Sequence, residues 1–177
     1  MNNEDNRAES QALAQVASIT EMVAALECDY DRLEELREER AALVDEDAEA
    51  LERGGNWGTQ RAIAEWDELN SVELADLTEA AGEFDDREQA EQRISEDALS
   101  VEVRSGWESV GGSLTPSEFR ILLCTGGPHV EIVGELDADA QPDRVRILYK
   151  DWGTSGELFD FDHDAVLTYC QQFYFGG

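Results

Sequence analysis

The chain has 177 residues, 41% of them hydrophobic, and its formal net charge is −29. The hydrophobic content excludes a wholly disordered chain, and the length suffices for one ordinary core or two small ones. No run of about 18 apolar residues occurs. Residues 1–5 lack the basic and apolar regions of a secretory signal, so we expect a cytoplasmic protein that does not contact a membrane.

The first predicted element is a long helix. From about Glu9 to Arg53 the sequence has no glycine or proline, and strong helix formers dominate. Its apolar residues recur at spacings of three, four or seven, which places them on one face of a helix. They are Leu13, Val16, Ile19, Val23, Leu26, Tyr30, Leu33, Leu36 and Leu43. We therefore expect one amphipathic helix over most of this segment.

Two shorter helices are predicted after it. The glycine-rich residues 54–58 end the first helix, and Thr59 is a suitable N-cap for a second helix that runs to about residue 81. The apolar stripe of the second helix is Ile63, Trp66, Leu69, Leu74 and Leu77. Because a short connection joins two apolar stripes, we expect an antiparallel hairpin. An aspartate at position 85 or 86 then caps a third helix to about residue 97, with Ala90 and Ile94 facing inward.

The pattern changes after residue 98. Four segments alternate in hydrophobicity or are rich in β-formers, and turn signals separate them: residues 101–104, 119–124, 130–136 and 145–149. Since consecutive strands on short connections pair with each other, we expect an antiparallel meander. Asp162 or Asp164 then caps a final helix to about residue 174. The side chains expected to cover one sheet face are Val166, Leu167, Cys170, Phe173 and Tyr174.

The predicted fold class is therefore α+β, with two domains. Residues 1–98 form an acidic helical arm, a hairpin or coiled coil with a short third helix, and residues 99–177 form a small antiparallel sheet covered by a C-terminal helix. Residues 1–97 contain 29 acidic residues and 8 arginines, whereas the remainder contains 13 acidic and 5 basic residues. Because net charge governs solubility and association rather than fold, this asymmetry indicates a partner with a basic surface.

The acidic side chains are densest in the first helix. Between Glu27 and Glu52 there are 12 acidic residues and 3 arginines. This corresponds to one net charge per ~4.3 Å of helix, whereas duplex DNA carries one per ~1.7 Å. Only two such helices side by side, or a dimer, would therefore approach the charge density of a duplex. The predicted partner-binding residues are Glu27, Asp31, Glu34, Glu35, Glu38, Glu39, Asp45, Glu46, Asp47 and Glu49. Solvation of an ordinary helix face, or adaptation to high salt in a chain with a single lysine, would also explain the charge.

Two clusters superficially resemble catalytic or metal sites. Cys124 and His129 flank a Gly-Gly-Pro turn, and a thiol beside an imidazole is the arrangement of a cysteine nucleophile. The position of the pair between two strands favours a hairpin with a buried thiol. Residues 160–164 contain three aspartates and a histidine directly before a helical pattern, which favours helix capping over a metal site. The three cysteines lack disulfide or zinc spacing, so we expect no catalytic residues, no metal and no cofactor.

Several segments carry a resemblance: 33–37, 86–94, 99–107, 121–128 with the motif LLCTGGP, 134–137 with GELD, 151–152 with Asp-Trp, and 172–176 with FYFG. They resemble a family of small acidic proteins of unknown activity that bacteriophages and other mobile elements of bacteria encode. The likeness covers most of residues 26–177. It implies a phage setting, in which small acidic proteins often block host defence, and it carries over no catalytic residues.

The leading hypothesis from the sequence is therefore an acidic phage-type interaction protein in the host cytoplasm. It would inhibit a nucleic-acid-binding defence complex, such as a restriction or CRISPR effector, by DNA mimicry or by occupying a basic channel. The expected partner is a protein with a basic nucleic-acid-binding surface, without direct binding of nucleic acid, and a homodimer is compatible with the sequence. A structural or assembly accessory that acts through helix pairing is the alternative, and a thiol-dependent enzyme is the least favoured.

Overall fold

The computed structural model describes residues 5–176 and confirms the α+β fold class. Its helices are α1 (Asp5–Glu27), α2 (Tyr30–Glu52), α3 (Trp57–Ala81), α4 (Arg87–Asp97) and α5 (His163–Cys170). Its strands are β1 (Ser100–Ser105), β2 (Pro116–Cys124), β3 (His129–Leu136), β4 (Pro142–Asp151) and β5 (Thr154–Leu158).

The contacts divide the chain into two compact units. One contains α1 as far as Ala24 together with the chain from Glu88 onwards, and the other is Ala25–Arg87. The first unit therefore holds the sheet, α5 and most of α1 and α4, and the second holds the α2–α3 hairpin. The predicted division at residues 98 and 99 assigned α1 and α4 to the arm instead. Within the first unit, Arg7 of α1 donates a hydrogen bond to the carbonyl of Gly127, 3.1 Å away, in the turn between β2 and β3.

The prediction of one long N-terminal helix is wrong, because the chain breaks between α1 and α2. Asp29 is the N-cap of α2, and its carboxylate accepts a hydrogen bond from the backbone N–H of Arg32 at 3.0 Å. Its backbone lies outside the helical region, with ψ at 84°. An aspartate cap satisfies one of the free N–H groups of a helix start, so the break needs neither glycine nor proline.

The predicted antiparallel hairpin is confirmed in the second unit. Leu33 and Leu36 of α2 are fully buried, and Arg32 and Arg40 form ion pairs across to Glu73 and Asp67 of α3. The helix α3 begins at Trp57, two residues before the predicted Thr59 cap. The stripe residues Ile63, Trp66, Leu74 and Leu77 are half-buried. Leu69, however, is 81% exposed, so the prediction that it faces inward is wrong.

The sheet is an antiparallel meander in the order β1-β2-β3-β4-β5, one strand more than predicted. The additional strand, β5, contains Ser155 and Gly156 and lacks the apolar alternation that marks the others. One face of the sheet is apolar, since Ile121, Ile132 and Ile147 align across β2, β3 and β4 and are fully buried. The core of the first unit lies on this face.

The C-terminal segment covers part of the same face. Asp162 caps α5 as predicted, because its carboxylate accepts from the backbone N–H of Ala165. The helix ends at Cys170 rather than near residue 174, and Tyr174 is 81% exposed, contrary to the prediction. Phe175 is buried in its place, with its ring 4.8 Å from that of Phe119 on β2.

Helices α4 and α5 are joined by a buried polar contact. Ala90 and Ile94 of α4 are fully buried, as predicted. The fully buried Tyr169 of α5 donates its hydroxyl hydrogen bond to Asp97 of α4 at 2.9 Å, and Arg93 lies 3.0 Å from the same carboxylate. Burial and the neighbouring Asp97 charge raise the pKa of Tyr169, so the phenol stays protonated and remains a donor.

Candidate functional site

The solvent-facing side of α2 carries a continuous row of carboxylates. Since Leu33, Leu36 and Ala50 are the buried residues of this helix, the opposite side faces solvent. The acidic residues there follow one another at spacings of three, four or seven residues, which keeps them on one face. They are Asp31, Glu34, Glu38, Asp45, Glu49 and Glu52, all exposed and here called the acidic stripe. The stripe is ~32 Å long at 1.5 Å per residue and contains no basic residue.

Some of the ten predicted partner-binding residues serve the hairpin itself. The half-buried Asp47 accepts hydrogen bonds from Asn56 and Thr59 at the hairpin tip. Glu39 accepts the indole hydrogen bond of Trp66 on α3 at 3.0 Å. Glu35 forms an ion pair with Arg32 on its own helix at 2.6 Å. Asp47 and Glu39 therefore join the two helices, whereas Glu35 pairs within α2.

The other predicted residues are exposed at the surface of the second unit. Glu49 forms an ion pair with Arg53 at 3.2 Å, at a highly exposed position. Among the described residues, the remaining six have no hydrogen-bond or ion-pair partner: Glu27, Asp31, Glu34, Glu38, Asp45 and Glu46. The stripe also includes Glu52, which the sequence analysis did not select. The structure thus brings together a subset of the predicted residues on one face of one helix.

The hairpin as a whole is more strongly charged than α2 alone. Residues 30–81 contain 16 acidic residues and 5 arginines. The 25 residues of α3 span ~37 Å, so the hairpin carries one net charge per ~3.4 Å, the axial phosphate spacing of a single DNA strand. The side-chain hydrogen bond from Arg32 lowers the pKa of Glu73, so this carboxylate stays ionised. The hairpin is therefore a multiply charged polyanion.

The face of the sheet opposite the apolar core carries both positively and negatively charged side chains. All five basic residues after position 97 lie on it, together with five glutamates: Arg104, Arg120, Arg144, Arg146 and Lys150, with Glu102, Glu118, Glu131, Glu135 and Glu157. They pair across neighbouring strands, as Arg104 does with Glu118, Arg120 with Glu102, and Arg144 with Glu135. This surface, here called the balanced face, is locally neutral in a strongly acidic chain.

Glu131 occupies the centre of the balanced face. Its side chain is almost fully buried, and three basic groups surround it: His129 at 3.2 Å, Lys150 at 3.7 Å and Arg120 at 3.8 Å. The atoms His129 Nε2 and Glu131 Oε2 are close but not aligned for a hydrogen bond, and neither has a hydrogen-bond partner among the described residues, although Arg120 lies 3.8 Å from Oε2. Surrounding cations offset the cost of burying this carboxylate.

The residues of the possible thiol site contact different groups. The Cys124 thiol donates a hydrogen bond to the carbonyl of Pro128 at 3.6 Å, whereas the imidazole of His129 lies against Glu131. Burial raises the pKa of the Cys124 thiol, which disfavours the nucleophilic thiolate. At the other cluster, Asp162 is a helix cap and the ring of His163 stacks on Phe161 at 3.9 Å. No group of three metal-ligating side chains occurs within residues 5–176.

Comparison with known proteins adds no family to these observations. No family model matches the chain, and neither a curated protein nor a solved structure is significantly similar to it. The resemblance to acidic phage proteins therefore stays a prediction. None of the helices in the described part of the chain combines the length and apolar content that crossing a membrane requires.

Proposed function

We propose that this chain is an acidic inhibitor of a nucleic-acid-binding protein, and that the α2–α3 hairpin is its inhibitory surface. The observation that carries the proposal is the acidic stripe: six exposed carboxylates on one helix face, five of them without an ion-pair partner in the described part of the chain. A row of mostly unpaired carboxylates complements a groove lined with arginine and lysine and competes with the phosphates that the groove normally binds.

The resemblance to phage proteins suggests the class of target. In that setting the target is a host defence complex that handles DNA or RNA, such as a restriction or CRISPR effector, in the host cytoplasm. Direct binding of the chain to nucleic acid is not expected, because both molecules are polyanions and repel each other. Long-range attraction to a basic target speeds association, and this attraction weakens as salt shortens the Debye length to ~8 Å at 0.15 M.

The test compares two variants of equal net charge. The stripe variant carries Asp31→Lys, Glu34→Lys, Glu38→Lys and Asp45→Lys, four exposed positions without partners in the described part of the chain. The control variant carries Glu9→Lys, Glu21→Lys, Glu108→Lys and Asp160→Lys, which are also exposed but lie outside the hairpin. Because each set replaces four acids by four lysines, any difference between them reports position rather than total charge.

The assay first captures host proteins on the immobilised chain after nuclease treatment and identifies them by mass spectrometry. A nucleic-acid-binding protein that duplex DNA displaces from the parent, and that binds the stripe variant at least tenfold more weakly than the control variant, would support the proposal. Equal binding by both variants would assign the charge to solubility or salt adaptation. Binding that is insensitive to salt would contradict the electrostatic mechanism.

A second candidate, an assembly accessory that acts through helix pairing, is favoured by one observation. Leu69 and Val72 of α3 are 81% and 70% exposed, and two exposed apolar residues on neighbouring turns are a suitable contact for another helix. In the capture assay, Leu69→Ser with Val72→Ser would abolish binding under this candidate and leave binding unchanged under the first.

A further inference from the structure

Strand β1 is one of the two edge strands of the sheet, and β5 is the other. Strand β2 is the sole strand partner of β1 within the described chain. An edge strand presents unpaired backbone N–H and C=O groups, which makes it a template for another strand. Val101 and Val103 lie on the apolar face, yet they are 37% and 45% exposed, whereas Ile121 beside them on β2 is fully buried. The apolar side of this edge is thus incompletely covered.

The sequence of β1 is complementary to itself in one register. Two copies of one strand that extend a sheet across a two-fold axis must pair antiparallel, with one residue facing its own copy. When Val103 faces Val103, each Glu102 lies opposite the Arg104 of the other copy. Registers centred on Glu102 or on Arg104 place like charges opposite each other, and like charges across strands are destabilising.

The same register also brings exposed apolar residues near the two ends of β1 together. It places Val101 opposite Ser105, next to the register shift between Arg104 and Ser105, and beyond the two ends of β1 it brings the loop residues Leu99 and Trp107 towards each other. Trp107 is fully exposed and Leu99 is 60% exposed, so both have apolar surface to bury. Glu102 and Arg104 already alternate with Arg120 and Glu118 on the neighbouring strand. Pairing of two copies continues this alternation of charge across the junction without a like-charged contact.

We propose that two copies of the chain associate through β1, antiparallel and centred on Val103, so that two five-stranded sheets become one. Edge charges commonly hinder such pairing, and like charges opposite each other across strands add to the hindrance. In β1, Glu102 and Arg104 carry opposite charges and are two residues apart. In the antiparallel pairing each of them therefore lies opposite the oppositely charged residue of the other copy. The edge also borders the balanced face, where two molecules of charge −29 repel each other least.

Two charge variants test this register by mixing. Glu102→Arg gives β1 two positive charges, and Arg104→Glu gives it two negative charges. Each variant alone places like charges opposite each other in a homodimer, whereas a mixture places both positive side chains of one variant opposite both negative side chains of the other. We expect the parent to be dimeric by sedimentation, each variant alone to dissociate with at least a tenfold higher dissociation constant, and the equimolar mixture to regain the dimer.

The matched controls lie on central strands of the same face. Arg144→Glu and Glu135→Arg make the same charge changes at paired, exposed positions, 73% and 61% exposed against 74% and 53% at Arg104 and Glu102. These controls should dimerise like the parent. A monomeric parent, dimeric single variants, or a mixture that stays monomeric would each overturn the proposal.

A second measurement needs no variant. Amide hydrogen exchange of the parent should slow in β1 at high protein concentration and speed up on dilution, while β3 in the sheet centre stays constant. Protection of β1 that does not depend on concentration would overturn the proposal even if a variant failed to fold. The inference depends on the sheet alone, so its failure leaves the proposed role of the acidic stripe untouched.

Discussion

The α2–α3 seam offers a direct measure of how the hairpin is packed. Leu36 of α2 has no exposed surface, whereas Leu69 of α3 is 81% exposed. Replacement of each by alanine removes the same atoms from a helix interior, so the small change in helix propensity cancels between the two. Leu36→Ala loses the transfer free energy of the buried atoms and leaves a cavity, a cost of about 2–5 kcal/mol. Leu69→Ala should stay within about 0.5 kcal/mol of the parent.

The comparison is made by urea unfolding followed by far-ultraviolet circular dichroism. Because a domain has a total stability of about 5–15 kcal/mol, the Leu36 change should lower the transition midpoint clearly, or separate the hairpin transition from that of the sheet unit. A cost below about 1 kcal/mol for Leu36→Ala, or equal costs for both replacements, would refute the described packing of the hairpin.

Two further predictions concern buried polar groups in the sheet unit and the three thiols. Tyr169→Phe should cost about 1–3 kcal/mol in thermal or urea unfolding, because it leaves the partly buried Asp97 carboxylate without its phenol donor; an unchanged midpoint would contradict this contact. Burial raises the pKa of Cys28, Cys124 and Cys170 above the ordinary value of 9.0, so each thiolate forms at higher pH in the folded than in the unfolded chain. Iodoacetamide should therefore label these thiols more slowly at pH 8 in the native protein than in the denatured protein, and the fully buried Cys170 should react slowest. The rates are measured by mass spectrometry. Faster labelling of Cys124 in the native state would contradict this prediction and indicate an activated thiol.

The sequence predicted the elements whose periodicity is strong and missed those that single residues decide. Apolar spacing predicted the hairpin, and alternation predicted four strands of the meander. The break before α2 depends on one carboxylate, Asp29, within a segment otherwise typical of a continuous helix. Strand β5 contains Ser155 and Gly156 and is held in place by pairing with β4, a tertiary effect that local propensity does not record.

For the candidate site, the composition predicted the acidic segment, but the structure was needed to identify the contacts of its individual residues. Counting charges located the acidic segment, and helical spacing alone selects the outward residues once the buried face is known. The partners of Glu39 and Asp47 come from α3, up to 27 residues away in the sequence, and only the packed hairpin reveals them. Replacement of Glu39 would therefore disturb the hairpin as well as the charge.

The separation of charge within the chain connects the two proposals. All the basic residues after position 97 pair with glutamates on the balanced face, whereas the acidic stripe has no basic residue within it. The two proposals therefore use different surfaces. The acidic stripe would bind a basic partner, and the β1 edge would bind a second copy of the chain. A dimer through β1 would carry two acidic stripes, and a target with two basic grooves at a matching distance would bind it with avidity that a monomer lacks. The β1 charge variants should then lose only that avidity, and the stripe variant should lose binding altogether.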